Sequence, residues 1–238
     1  MRLSAISVDL DSLPHYCRIQ GLPETLLDDD ARALVARVAI PRLLELFNGK
    51  PATFFVIGED VRLPGMKRAL SDALGAGVEL ASHSDSHDYA ISRWSQDAIE
   101  ADLRRAEVAL AEVGATVRGF RAPGYTLSPA LLKAVAARGY EYDSSTFPAV
   151  PYYLAKAGVM GALELLRRPS RAILDSPRVL GAPRTPYRPS LDAPYSRGDA
   201  PLIELPMAVA PLTRLPFIGT FATSLPWPLV EATYRAMR

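Results

Sequence analysis

Short apolar runs alternate with amphipathic stretches along most of this chain, and this alternation constrains the fold more than any other feature. Apolar runs at residues 4–10 and 52–57 contain the β-branched and aromatic types that strands favour. Residues 30–47, between these runs, have helical spacing. This order is typical of parallel strands that are joined by crossover helices.

The same unit repeats further along the chain. The clearest helix is predicted at residues 95–113. Ile99, Leu103 and Ala106 recur there at helical spacing, and Ser95, at the start, is a good N-cap. A doubly wound sheet and a closed or partly closed barrel both satisfy the pattern, which does not choose between them. Other predicted strands cover residues 78–81, 117–121, 140–144 and 202–205, and other predicted helices cover 67–74, 128–137 and 228–237.

Residues 148–201 differ in composition from the rest of the chain, because they are rich in proline and arginine. We predict a long, partly helical surface excursion that serves as a substrate loop within a single domain, 1–238. The arginines suit phosphate geometry and suggest an anionic substrate, although a solvated face explains them equally well. They are Arg167, Arg168, Arg171, Arg178, Arg184, Arg188 and Arg197.

The composition excludes several classes of protein. The chain has 238 residues, 49% of them hydrophobic and 22% charged, with a formal net charge of +1, which argues against disorder and against a general nucleic-acid-binding charge. Asp9 and Asp11 interrupt the first apolar run, and Cys17 is the only cysteine. We therefore expect no secretory signal, no transmembrane segment and a cytoplasmic location, and leave the oligomeric state open.

Two of the three histidines, His83 and His87, directly follow a predicted strand. A spacing of four positions can bring both imidazoles to one metal ion. The alternative, a pair of capping or surface histidines, has similar weight when the motif is taken alone.

Asp9 and Asp11 end the first predicted strand. Alternation places both carboxylates on the same face, at the strand end where α/β folds build their active sites. The alternative is that one of them caps a turn. Two histidines and one carboxylate form a common open metal site, and a second carboxylate beside the metal can accept a proton from bound water.

A third motif, RGFRAPGY, covers residues 118–125. Arg121, ending a strand, can pair with a carboxylate, and the turn at Pro123 and Gly124 can present a backbone N–H to an oxyanion. Such turns are also common punctuation. Asp143 ends another predicted strand and is a candidate to orient Arg121.

Taken in order, the aspartate pair, TFFVIG, SHSDSH, RGFRAPGY and GYEYDSS resemble the polysaccharide deacetylase family, also called the NodB-homology family. The resemblance runs from about residue 4 to 147, with a looser echo at 183–189 and 203–206. It implies an α/β fold, a distorted (β/α) barrel of the polysaccharide deacetylase type, and metal-dependent deacetylation of an amino sugar.

The resemblance also implies individual roles. Asp9 is similar to the family's catalytic base, Asp11, His83 and His87 to its metal ligands, and Arg121 to the residue that orients the base. The Tyr125 backbone N–H would help hold the oxyanion. Zinc is the expected divalent metal, and the ligand types also allow iron, cobalt, nickel or manganese. The Asp-Leu-Asp spacing resembles the branch that acts inside cells or on lipid-linked sugars.

One departure concerns the general acid. Family members supply a histidine near the C-terminus, and none follows His87 here. Either the chain ends before that segment, so that the barrel lacks its last strand, or the histidine has been lost, and we favour the shortened chain. His15 is the remaining candidate acid or substrate-binding histidine, although a surface-loop histidine is the favoured interpretation.

Other functions stay open on this sequence. One is a non-catalytic carbohydrate- or glycolipid-binding homologue, and another is a deformylase or ring-opening amidase on the same scaffold. The expected partner is a carbohydrate or glycolipid, free or phosphate-linked. The apolar residues 215–221 allow peripheral membrane contact or a place in the core.

Overall fold

A computed structural model describes residues 5–167 and 173–237. Six parallel strands form one sheet whose spatial order follows the chain from β1 to β6. The strands are β1 (Ile6–Asp9), β2 (Ala52–Val56), β3 (Glu79–Ser82), β4 (Gly119–Phe120), β5 (Tyr142–Asp143) and β6 (Ile203–Glu204).

The consecutive order decides between the two predicted architectures. A doubly wound sheet reverses direction at a switch point, whereas here every strand adds to the same edge. A flat sheet would place β4 about 14 Å from β1, three strand spacings away. Yet Arg121, just after β4, bonds to Ser7 and Asp9 of β1. The sheet therefore curls into a distorted half-barrel, and the predicted fold class is confirmed.

The helices lie between the strands, largely as predicted. Ser95 and Ser128 cap α5 and α6 by accepting the N–H of Ala98 and Leu131, respectively. The helices are α1 (Leu13–Gln20), α2 (Asp29–Arg32), α3 (Ile40–Phe47), α4 (Met66–Gly75), α5 (Gln96–Ala111), α6 (Pro129–Ala137), α7 (Val150–Leu165), α8 (Gly219–Ser224) and α9 (Trp227–Met237).

The helix predicted over residues 30–47 is broken. Its parts are α2, a π-helical turn at Val35–Ala39 and α3. Pro41 lies in the first turn of α3 and has no N–H to donate to the preceding turn. This missing donor accounts for the irregular turn before it.

The apolar core has two main layers outside the curled sheet. Phe54 and Leu70 belong to the layer under α3 and α4, and Leu103 and Phe120 to the layer under α5 and α6. Phe55, next to Phe54, alternates to the other face of β2 and lies under the Arg121 guanidinium. Alternation along β2 thus places Phe54 in the core and Phe55 in the barrel interior.

The predicted excursion contains one long helix. None of the residues of α7 is buried. After it come a 3₁₀ helix at Pro177–Gly181 and antiparallel bridges from Tyr187 to Glu204 and from Pro189 to Arg197. Arg168 and Arg171 lie outside the described residues. Within the apolar stretch 215–221, Phe217 stacks on Tyr234 and Ile218 packs on a small buried cluster.

No helix in the described part of the chain combines the length and the apolar character needed to cross a membrane.

Candidate metal centre and active site

Three potential ligand atoms converge at the carboxyl ends of β1 and β3. Asp11 follows β1, and His83 and His87 lie in the loop after β3. The Asp11 Oδ1 atom lies 3.6 Å from His83 Nε2 and 3.5 Å from His87 Nε2. One ligand atom from each residue lies within 4.8 Å of the others. The structure thus brings together the three side chains that the sequence motifs singled out.

The hydrogen bonding of these residues fits a divalent metal ion. His83 Nδ1 lies 2.7 Å from the Arg121 carbonyl oxygen, which can only accept, so Nδ1 donates its N–H and Nε2 is the ring nitrogen that faces Asp11. Asp11 Oδ1 and both ring nitrogens of His87 are buried and have no hydrogen-bond partner within residues 5–167 and 173–237. Two imidazole nitrogens and one carboxylate suit zinc, and also iron, cobalt, nickel or manganese.

Burial sets the protonation of two of the ligands. It lowers the pKa of His87 well below its ordinary value, and the neighbouring His83 and His15 add to this shift. It raises the pKa of Asp11, with a further contribution from Asp9. A neutral imidazole is the form that binds metal, and a cation at this position would favour the ionised form of Asp11.

The histidine loop is held in a left-handed conformation. Ser84 has φ 63° and His87 has φ 51°. The His87 N–H donates to Ser84 Oγ at 3.0 Å. Non-glycine residues adopt such angles only where their surroundings fix them, and they are concentrated at functional sites.

Asp102 of α5 supports this loop, and the sequence analysis missed it. Its carboxylate accepts the N–H groups of Asp85 at 2.7 Å and Ser86 at 3.2 Å, and Arg105 bonds to both Asp102 and Asp85. Asp102 is fully buried. The available clue was an acidic residue on the apolar face of α5, three positions after Ile99.

Gly58, which ends the TFFVIG motif, lets the same loop approach β2. Its N–H donates to the Ser84 carbonyl at 2.9 Å. A Cβ at this position would lie 2.6 Å from Asp85 Oδ1 and 2.8 Å from Ala106 Cα, closer than atoms can pack. A side chain at residue 58 would therefore displace the histidine loop.

Asp9 is fixed beside the three ligands. It accepts hydrogen bonds from Arg121 Nη1 at 2.5 Å and from the Tyr125 hydroxyl at 2.8 Å. Burial opposes its ionisation, but the charges of Arg121 and His83 and these hydrogen bonds hold the pKa of Asp9 below its ordinary value. Asp9 is therefore ionised and oriented, as a general base must be.

Arg121 is itself held by several contacts. Its Nε donates to the Ser144 carbonyl at 3.0 Å, and its Nη2 donates to Ser7 Oγ and Ser144 Oγ. The guanidinium lies 3.9 Å from the Phe55 ring centroid. With its charge and its donors engaged, Arg121 can hold Asp9 in one orientation.

The prediction that Asp143 orients Arg121 by direct contact is wrong. Within the part of the chain that the structure describes, Arg121 bonds to Asp9, Ser7 and Ser144 and makes no hydrogen bond or ion pair with Asp143. Asp143 accepts the Ser145 hydroxyl at 2.6 Å, and Ser145 Oγ accepts the Ala122 N–H at 2.8 Å. Asp143 thus acts on the backbone beside Arg121. The reason is position, because Ser144, not Asp143, faces the guanidinium.

Asp143 forms a second carboxyl pair with Glu204, its register partner on β6. Both side chains are fully buried, and Asp143 Oδ2 and Glu204 Oε2 have no hydrogen-bond partner. Burial raises the pKa of both groups, and the charge of Asp143 raises the pKa of Glu204 further. One proton shared between the two carboxyl groups would satisfy both oxygens.

Pro123, Gly124 and Tyr125 form a 3₁₀ turn directly after Arg121 and Ala122. The Tyr125 N–H donates to the Ala122 carbonyl at 3.0 Å, so the turn already uses the donor expected for the oxyanion. The Tyr125 hydroxyl faces Asp9 instead, and burial raises its pKa well above the ordinary value, so it remains a donor. Pro123 is buried, and a Cβ on Gly124 would lie 3.0 Å from the Tyr89 ring.

His15 is buried, so its interpretation as a surface-loop histidine is wrong. It belongs to α1, which the sequence analysis missed, and is 2% exposed. Its Nε2 lies 3.0 Å from Asp60 Oδ1, its Nδ1 lies 3.5 Å from Arg18 Nη1, and its ring contacts His87 edge-on. Pro14 lies in the first turn of α1, where proline is well tolerated.

Comparison with known proteins adds a family match. Residues 28–142 match the family model described as polysaccharide deacetylase. This range includes His83, His87 and Arg121, and begins after Asp9 and Asp11. No curated protein matches the chain.

Several solved structures resemble the chain. A Mycobacterium smegmatis protein assigned to the polysaccharide deacetylases is 23% identical, with a TM-score of 0.59, over 87% of this chain and 58% of its own. A family 4 carbohydrate esterase from Streptomyces lividans is 24% identical, with a TM-score of 0.41, over 45% of this chain and 55% of its own. A family 4 pseudoenzyme from Bacillus anthracis is 19% identical, with a TM-score of 0.42, over 57% and 40%.

This chain therefore spans somewhat more than half the length of the Mycobacterium smegmatis structure, whose likeness supports the barrel fold. The motif order, the family match and the fold agree with one another. The resemblance to the polysaccharide deacetylase family that the sequence motifs predicted is therefore confirmed, over a range that includes His83, His87 and Arg121.

Proposed function

We propose that this protein hydrolyses an N-acyl amide on an amino sugar, with the help of a divalent metal. The observation that carries the proposal is the convergence of Asp11, His83 and His87, with the ionised carboxylate of Asp9 fixed beside them. Ligands alone would also suit a structural metal. A second, oriented carboxylate adds a base for hydrolysis.

When bound, a divalent metal would polarise the acyl carbonyl and lower the pKa of water at this site. Asp9 is placed to accept the proton of that water, because Arg121 and the Tyr125 hydroxyl hold it ionised and oriented. His83 keeps its orientation through the bond from Nδ1 to the Arg121 carbonyl. Arg121 thus serves a ligand with its backbone and the base with its side chain.

A second candidate is a carbohydrate- or glycolipid-binding homologue without turnover. The observation that favours it concerns the leaving amine, which needs a proton. His15 has both ring nitrogens beside Asp60 and Arg18, and the other two histidines of the sequence are the proposed ligands. The identity of the general acid is therefore the point on which the two candidates differ.

Product analysis with the zinc-loaded protein separates the candidates. We expect acetate from N-acetylated amino sugars, with less formate from the N-formyl analogues. Formate alone would identify a deformylase, and an opened lactam ring a ring-opening amidase. Stoichiometric zinc and sugar binding without any product would establish the non-catalytic homologue. The cytoplasmic location, the lipid linkage and the choice of zinc remain predictions.

A further inference from the structure

Lys156 lies at the edge of the candidate site, on a helix outside the family-matched range. It belongs to α7 and is one turn from Tyr152, so the two side chains share a face of the helix. Its ammonium lies 6.0 Å from the ring centroids of Tyr89 and Tyr152. The Tyr89 ring contacts the His87 ring edge-on, at 5.5 Å between centroids. A single tyrosine ring thus separates the Lys156 ammonium from a proposed metal ligand.

The ammonium is only weakly satisfied. It has three N–H donors. Within residues 5–167 and 173–237, its one hydrogen bond is a long one, 3.4 Å, to the Gly124 carbonyl, and no carboxylate pairs with it directly. Asp175 acts on it from a distance, and both Asp175 oxygens already accept the Tyr195 hydroxyl.

Lys156 is half-buried, and this partial burial is unusual for a lysine without a direct carboxylate partner among the described residues. Burial lowers the pKa of Lys156, and the charge of Asp175 offsets this only in part. A partly desolvated cation with unused donors gains more from an anionic partner than a solvated surface lysine does. The neighbouring Tyr89 and Tyr152 rings also limit the access of water.

We propose that Lys156 binds an anionic group, a phosphate or a carboxylate, on the amino sugar whose acyl group lies at the metal site. This inference rests on the proposed function, since the metal site fixes the other end of the substrate. The anionic group would then be bound between α7 and the turn at Gly124. Among the arginines of the same segment, Arg188 is less suited, since it donates to the Ala200 carbonyl at 2.8 Å.

Calorimetry on the zinc-loaded protein tests the proposal without requiring turnover. The probes are N-acetylglucosamine, its 1-phosphate and N-acetylmuramic acid, so that phosphate and carboxylate are compared with a neutral sugar. We expect one or both anionic sugars to bind about 10-fold to 100-fold more tightly than the neutral one. The tighter anion identifies which group the site prefers.

Lys156→Met should abolish this preference while leaving the affinity for the neutral sugar unchanged, and Lys156→Arg should restore much of it. Lys67→Met is the matched control, because Lys67 is exposed on α4 and pairs with Glu112. Thermal unfolding and zinc content verify that each variant is folded and loaded.

Three outcomes would overturn the proposal: no binding of any probe, equal binding of neutral and anionic sugars, or a preference that survives in Lys156→Met. Acetate release is measured separately. If no probe is hydrolysed but the charge preference depends on Lys156, the hydrolase proposal fails and the anion site stands.

Discussion

Two carboxyl pairs lie inside the same barrel in opposite electrostatic surroundings. Asp9 ends β1 beside Arg121 and has a lowered pKa, whereas Asp11, two residues further on, lies beside two imidazoles and has a raised pKa. Asp143 and Glu204 lie on β5 and β6, where both are fully buried and both have raised pKa values. In the first pair Asp9 is arranged to carry negative charge, and a cation at the ligand atoms would favour the ionised form of Asp11 as well. The second pair is arranged to avoid charge.

The comparison shows that an acidic residue at a strand end does not by itself indicate chemistry. Asp143 satisfied the same sequence criterion as Asp9, yet its carboxylate holds Ser145, which in turn holds Ala122. Neighbouring cations and unsatisfied ligand atoms make the difference. The β5–β6 pair is therefore a support for the segment that carries Arg121.

The largest expected effect is on metal content, when the two histidines beside Asp9 and Asp11 are removed. A His83→Ala, His87→Ala double variant should lose nearly all of the bound metal, which we expect at about one divalent ion per chain in the wild type. Metal analysis of both proteins after identical loading provides the measurement. Equal metal content would refute the assignment of these ligands.

The next effect concerns the base. Asp9→Asn keeps the shape of the side chain and removes its charge, so hydrolysis should fall by about 10²–10⁴-fold while the metal content stays the same. Steady-state kinetics and metal analysis on the same sample check this. A loss of metal would mean that Asp9 acts as a ligand, and unchanged activity would exclude it as the base.

The smallest effect concerns the second pair. A raised carboxyl pKa means that the folded state binds the proton more tightly than the unfolded state, so the contribution to stability is present at low pH and is lost as pH rises above about 4.3, the ordinary glutamate value. Glu204→Gln keeps a neutral hydrogen-bonding group. The variant should therefore gain stability relative to the wild type as pH rises.

Thermal unfolding of the two proteins across pH measures this difference. Glu141→Gln is the control, because Glu141 is exposed and pairs with Arg118 on the surface. Arg118 lowers the pKa of Glu141, so any pH-dependent difference from the wild type should have the opposite sign, a loss of stability as pH rises. A difference between Glu204→Gln and wild type that does not change with pH would show that the buried pair holds no extra proton.

The strands and helices that follow from the periodicity of apolar residues could be predicted from the sequence. Strands around Asp9 and Phe55 and a helix behind Ser95 follow from local spacing, and strand ends placed Asp11, His83 and His87 on one side of the fold. The pairing of Arg121 with Asp9 came from the family resemblance. No local pattern contains it, because the two residues are 112 positions apart.

Other features were missed for identifiable physical reasons. Helix α1 was not predicted, because a proline is a common loop residue and Pro14 lies at the start of the helix. The burial of His15 was missed for the same reason. Asp102 lies on the apolar face of α5, but an isolated acidic residue there does not indicate its partner, and only the loop that folds over it reveals its role. Glu204 lies in a two-residue strand, too short for alternation to indicate that its carboxylate faces another acid.

The span between Arg121 and Asp9 also has a consequence for assembly. The base receives its orienting partner only when the end of β4 has folded back against β1, a contact between segments that are distant in sequence. Such contacts form late and slowly compared with local helices. The proposed ligands follow β1 and β3, so metal uptake during refolding would report when these strands have come together, and the orientation of Asp9 would follow once the end of β4 reaches β1.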